Sequence, residues 1–223
     1  DYCTRSYLEK ILQMKSVFTI SPVEMLNDVI AMTYIKIDEE RAKESISLMK
    51  QLLQGEYINK DGEERLQVSN NRYVKLNYAS SGQQEVVWIL NVLFYYLLNG
   101  ESTYFIIEEP ESHLFPNSQK LVMEFIALVC NGNGNQLFLT THSPYILGTI
   151  NNLLYADKVS KDVDESQLSR IISKNKWLNY DKVNAIFVQN GKIKSCLDEE
   201  FKSIENEVID GASEQINEDY DKM

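Results

Sequence analysis

Apolar residues recur at mixed three- and four-residue spacing near the start of the chain: Leu8, Ile11 and Leu12; Val23, Met25, Leu26, Val29 and Ile30; then Ile46, Leu48, Met49, Leu52 and Leu53. That spacing predicts helices through residues 1–54. Ser21-Pro22 followed by Glu24 opens one of them, and Gly55 stops the last. From Glu56 to Ala79 the pattern shortens to strand-like runs separated by Asp61-Gly62 and Asn70-Asn71, which predicts a β-meander. Ser80-Ser81-Gly82 then begins a helix that runs to Leu98 and closes at Asn99-Gly100.

Two later runs lack alternation. Thr103–Ile107 and the segment QLFLT from Gln136 each hold an unbroken apolar or aromatic run, Tyr104–Ile107 and Leu137–Leu139, as expected of strands covered on both faces in a parallel sheet. Each is followed by a helix signal: Pro116 to Cys130 after the first, and Ser143-Pro144 to about Asn151 after the second. Two strand–helix units in succession predict an α/β fold with a mainly parallel sheet. NGNGN at Asn131–Asn135 is a loop, and residues 157–182 are polar without a readable period. AIFVQNGKIKSC reads as a hairpin turning at Asn190-Gly191. Beyond Asp198, Phe201, Ile204, Val208, Ile216 and Tyr220 fall at helical spacing and predict two short amphipathic helices.

The 223 residues suffice for one large domain or two small ones, and 43% hydrophobic with 25% charged residues is ordinary globular composition. The longest apolar stretch, VVWILNVLFYYLL, carries Asn91 and is too short to cross a bilayer, and the N-terminal residues do not resemble a signal peptide. Cys3, Cys130 and Cys196 lack CxxC spacing, which argues against a disulfide framework or a zinc site and predicts a reducing, cytoplasmic setting. The net charge of −11 is lopsided: residues 198–223 hold ten acids against Lys202 and Lys222, so the body is near neutral. No basic footprint for nucleic acid shows in these totals.

The apolar strand TYFII ends in Glu108, Glu109, Pro110 and Glu111. Buried unpaired carboxylates cost several kcal/mol each, so acids at a strand end predict a crevice where they meet a metal ion or water. Ser81 and Gly82 stand where a helix begins, and free N–H groups there favour a phosphate.

In chain order, the Ser-Ser-Gly helix start, EEPESHLFP and TTHSP resemble the C-terminal half of an ABC-type ATPase head of the kind found in chromosome-maintenance and recombination ATPases. More narrowly, they look like the bacterial AAA-family ATPases related to the "overcoming lysogenization defect" group. The resemblance is strongest over residues 78–154. It implies an α/β fold: the C-terminal part of an ABC-ATPase-like head with a mainly parallel core sheet, plus a helical N-terminal lobe and small β-meander. Its divisions would be 1–79 (helical lobe with meander), 80–197 (ATPase core) and 198–223 (acidic helices). It further implies ATP and Mg²⁺ as ligands. Ser81, Gly82 and Gln84 would form the signature motif that touches the γ-phosphate held by an opposite subunit, with Gln83 where the family form has a second glycine. Glu108 would hold the Mg²⁺ shell, Glu109 would polarise the attacking water, and His142 would be the switch histidine. Glu111 and His113 follow on a turn that faces the partner subunit, either as dimer contacts or as loop decoration.

No GxxxxGK[ST] phosphate loop occurs in the sequence. The expectation is therefore the C-terminal portion of a longer ATPase that homodimerises through ATP, with the isolated chain binding nucleotide weakly; a degenerate pseudo-ATPase is the alternative. Partners implied by the resemblance are a nucleic acid or a neighbouring effector protein, in DNA maintenance or mobile-element defence, and no membrane. Three rivals come from other classes. Asp162-Val163-Asp164 has the Asp-x-Asp spacing of a metal-dependent nuclease, without a buried strand before it. His113 and His142 with nearby glutamates suggest a metal hydrolase, without HExxH spacing. The acidic C-terminal segment suggests a non-catalytic scaffold for a basic partner.

Overall fold

A computed structural model describes residues 19–31 and 38–205, together with residues 220 and 222. The helical expectation for residues 1–18 and the amphipathic pattern at 206–219 lie outside the described residues. Helix α1 spans Pro22–Ala31 and α2 spans Glu39–Leu53. Ser21 opens α1 as its sequence suggests, its hydroxyl accepting from Glu24 N while Glu24 Oε2 accepts from Ser21 N at 2.8 Å. Asp38 caps α2 by accepting from Arg41 N.

Strands β1 (Glu56–Lys60), β2 (Glu63–Ser69) and β3 (Arg72–Lys75) form the expected antiparallel meander. Its first turn places Asp61 and Gly62 at φ +54° and +78°, the left-handed pair that a tight hairpin needs. Gly55 does more than end α2. A Cβ there would stand 2.9 Å from the Gln67 carbonyl oxygen, so glycine lets the chain enter β1 against the β2 backbone.

Helix α3 (Ser81–Asn99) leads to β4 (Tyr104–Glu108), α4 (Pro116–Cys130), β5 (Gln136–Thr140) and α5 (Pro144–Val159). Val122 to Val129 are buried without a break, so α4 is enclosed on all sides. It packs against α2, α3 and α5, and one continuous apolar core joins Met25 and Leu26 of α1 through to Leu153 of α5.

β4 and β5 pair in parallel, with Ile106 opposite Phe138 and Glu108 opposite Thr140. This is the parallel α/β unit expected. Phe105, Ile107, Leu137 and Leu139 face the core. The opposite face is open, with Tyr104 58%, Ile106 72% and Phe138 47% exposed. The expectation that both strands are covered on both faces is therefore corrected: among the described residues, helices cover one side only.

Residues 157–182, unreadable as a pattern, are held by polar tethers. α5 runs on to Val159 rather than ending near Asn151, and α6 spans Glu165–Ile171. Lys176 reaches Glu124 of α4 at 2.8 Å and Glu44 of α2 at 3.4 Å, while Arg41 donates to the carbonyls of Leu128 and Asn175. Burial pushes the Glu124 carboxyl up, but hydrogen bonds from Lys120 and Lys176 outweigh it and hold the group below its ordinary value.

Strands β6 (Ile186–Gln189) and β7 (Lys192–Ser195) form the predicted hairpin, with Asn190 and Gly191 at φ +50° and +71°. The helix expected from Asp198 is absent over 198–205. Instead β8 (Leu197–Asp198) pairs with β9 (Ser203–Ile204), because Asn151 of α5 holds Ile204 at both its N–H and its carbonyl (2.8 Å each) and Ile204 packs with Leu154 and Cys196. No helix among the described residues is long and apolar enough to cross a membrane.

Candidate active site at the strand tips

Parallel pairing of β4 with β5 brings both chain continuations out at the same end of the sheet. Glu109 N donates to the Thr140 carbonyl at 3.0 Å, extending the ladder one residue past the strand. The chain then turns sharply. Glu109 sits at φ +41°, which is unfavourable for a residue with a Cβ and more so before Pro110. Non-glycine residues in such conformations cost of order 1–3 kcal/mol and cluster at functional sites. Ser112 N to the Glu109 carbonyl and Leu114 N to the Glu111 carbonyl, each 3.0 Å, hold the turn.

Here the two strand tips meet. His142 Nδ1 lies 3.1 Å from Glu109 Oε1, and both side chains are open to solvent, at 72% and 45% exposure. Glu108, opposite Thr140, is exposed on the open side of the sheet. Glu111 was left undecided by its sequence position and behaves differently from both. Its side chain is 3% exposed, and its Oε1 accepts from the Thr141 hydroxyl and from His142 N at 3.1 Å. Thr141 Oγ1 in turn accepts from Ser143 N, and the Ser143 hydroxyl caps α5 at Tyr145 N and Ile146 N while donating to Gln119. Gln119 donates to the Leu114 carbonyl, closing the circuit back to the first turn. For Thr141 and Ser143 the TTHSP context is the only sequence signal, and Gln119 carries none.

The start of α3 abuts the far side of the same turn. Ser80 is its cap, in a capping box with Gln83, so Gln83 has a structural use at the position where the resembled family carries glycine. Ser81 is exposed, and Gln84 Nε2 donates to the Ala79 carbonyl at 2.8 Å. Gly82 is buried, and a Cβ on it would lie 2.5 Å from the His113 carbonyl oxygen. Close packing against the turn thus already demands glycine there, before any phosphate is considered. His113, at φ +58°, has its Nδ1 3.0 Å from both Glu85 carboxylate oxygens.

The motifs of the rival readings find other uses. Asp164 caps α6 by accepting from Ser166 N, and hydrogen bonds from Ser166 hold its carboxyl below its ordinary value. No group of three or more His, Cys, Asp or Glu suited to a metal ion occurs among the described residues.

Residues 2–147, from near the first residue to just past the second strand tip, match the family model described as an AAA ATPase domain. The chain belongs to that AAA ATPase family. Nothing among curated proteins matches it. Of solved structures, it is similar to one from work on the structural biochemistry of ATP-driven dimerization and DNA-stimulated activation of SMC ATPases, at a TM-score of 0.46 and 12% identity, over 80% of this chain and 92% of that one. Family membership supports ATPase activity in general and implies nucleotide binding, for which Mg²⁺ is the typical companion ion. The residues fit that ion: Mg²⁺ keeps its waters and takes one or two carboxylates beside substrate phosphates, and Glu108 offers one exposed carboxylate at the strand end.

Proposed function

We propose that this AAA ATPase chain supplies the hydrolytic and signature elements of an ATP site shared between two subunits. Glu109 orients the attacking water and takes its proton as the water oxygen bonds to the γ-phosphorus and the β–γ bridge breaks. His142 donates a hydrogen bond to a γ-phosphate oxygen as negative charge builds there. Glu108 would hold Mg²⁺, which supplies charge neutralisation on the phosphates. Ser81, with Gly82 and Gln84 shaping the α3 entrance, faces the nucleotide of the opposite subunit, so ATP clamps a homodimer and hydrolysis releases it. The phosphate loop is not among these residues, and the site requires a segment that provides it.

One observation carries this reading: two carboxylate- and imidazole-bearing strand tips converge to 3.1 Å, at a residue held in a strained backbone. In the assembled ATPase, Glu109→Gln should trap an ATP-bound dimer with little turnover, detectable by light scattering. A variant that stays monomeric with saturating Mg-ATP would contradict the clamp.

A further inference from the structure

We infer that Glu111 is the positioning residue of this site, a role that rests on the hydrolytic function proposed above. Two carboxylates surround His142 and do different work. Glu109 meets the ring from the solvent side, whereas Glu111 holds the backbone from inside. Two donors converge on Glu111 Oε1, the Thr141 hydroxyl and His142 N at 3.1 Å, while His142 Nδ1 stands 3.8 Å away, beyond hydrogen-bond reach. Its Oε2 is buried and has no partner among the described residues.

That geometry suits a carboxyl group: one oxygen accepts from both close donors, and the other faces a side with no partner among the described residues. Glutamine would keep one oxygen for the two close donors but place an NH₂ where no acceptor waits. Because Thr141 is tied on to Ser143 and the α5 cap, Glu111 fixes the first residues after β5 as a unit and so sets where the His142 ring projects. Glu111 itself is enclosed and does not reach substrate.

The test has two arms. In this chain alone, ¹⁵N–¹H spectra of Glu111→Gln should show the His142 amide moving upfield and exchanging with solvent at least about tenfold faster, while core amides such as Val87 and Leu128 stay protected and Glu109→Gln leaves the His142 amide in place. In the assembled ATPase, Glu111→Gln should lower kcat by about 10- to 100-fold, the scale of a misplaced catalytic group, with KM for Mg-ATP changed less than about threefold. An unchanged His142 amide, or an unchanged kcat, overturns the assignment. Absence of turnover in the unsubstituted enzyme overturns the hydrolytic function instead, and the amide arm still decides what Glu111 positions.

Discussion

Glu109 and His142 meet because one residue accepts a conformation that its side chain disfavours. The ladder bond from Glu109 N to Thr140 pins the backbone, Glu109 takes φ +41° although a following proline favours an extended conformation, and its carboxylate ends 3.1 Å from the His142 ring. Gly82 is the counterpart on the other side of the turn, where absence of a side chain is the requirement. Gly82→Ala should cost about 1–3 kcal/mol through overpacking against the His113 carbonyl, read by denaturant unfolding without nucleotide. Equal stability would show that the turn yields and that the close approach is not what selects glycine. Glu108, Glu109 and Ser81 were legible as candidates because strand ends and helix starts announce themselves in sequence, and His142 through the family resemblance that TTHSP carries. Glu111 was not: an acid on a turn ordinarily reads as solvated, and its burial depends on Thr141 and His142, which are 30 and 31 residues away in the chain.

At the scale of elements, chain order gave the meander, the parallel β4–β5 pair and the helices between them, since their hydrophobic periods are strong and turn pairs such as Asp61-Gly62, Asn70-Asn71 and Asn99-Gly100 separate them. It misjudged what covers β4 and β5, because an apolar run reports the surroundings a strand suits and not those the described residues provide. The two faces make separable predictions. Phe105→Ala, on the covered face, should cost about 3–5 kcal/mol, while Ile106→Thr, on the open face, should shift stability by less than about 0.5 kcal/mol; chemical denaturation of both variants checks the contrast. The β8–β9 hairpin was missed for a tertiary reason, as Asn151 and Leu154 of α5 impose it on a sequence with helical spacing. Asn91 in α3 presents a different case, fully buried with neither amide atom partnered among the described residues. Asn91→Leu should therefore stabilise the chain, by about 1–2 kcal/mol, by removing that desolvation cost; a lower melting temperature would reveal a missed partner.

Across the whole molecule, α4 is the mast to which α2, α5 and the unpatterned 172–178 segment are tied, and Glu124 is its one buried ionic fixture. Its folded carboxyl titrates below the ordinary value near 4.5, so its stabilising contribution is complete above about pH 4.5 and is lost as pH falls through the folded value. Glu124→Gln should lower stability at pH 7 by about 2 kcal/mol and flatten the acid limb of the stability–pH curve. An acid limb as steep as in the unsubstituted chain would place that titration elsewhere. This frame carries β4 and β5 side by side, and the proposed Glu109–His142 pair depends on their tips staying in register.

That pairing is open to a double-mutant cycle on steady-state ATP hydrolysis, in the assembled enzyme with its phosphate loop. If Glu109 and His142 act as one unit, Glu109→Gln and His142→Ala should each reduce kcat by about 100-fold or more, and the double variant should be scarcely worse than the poorer single one. Losses that multiply in full, or a single variant that turns over normally, would contradict a shared catalytic site at the strand tips.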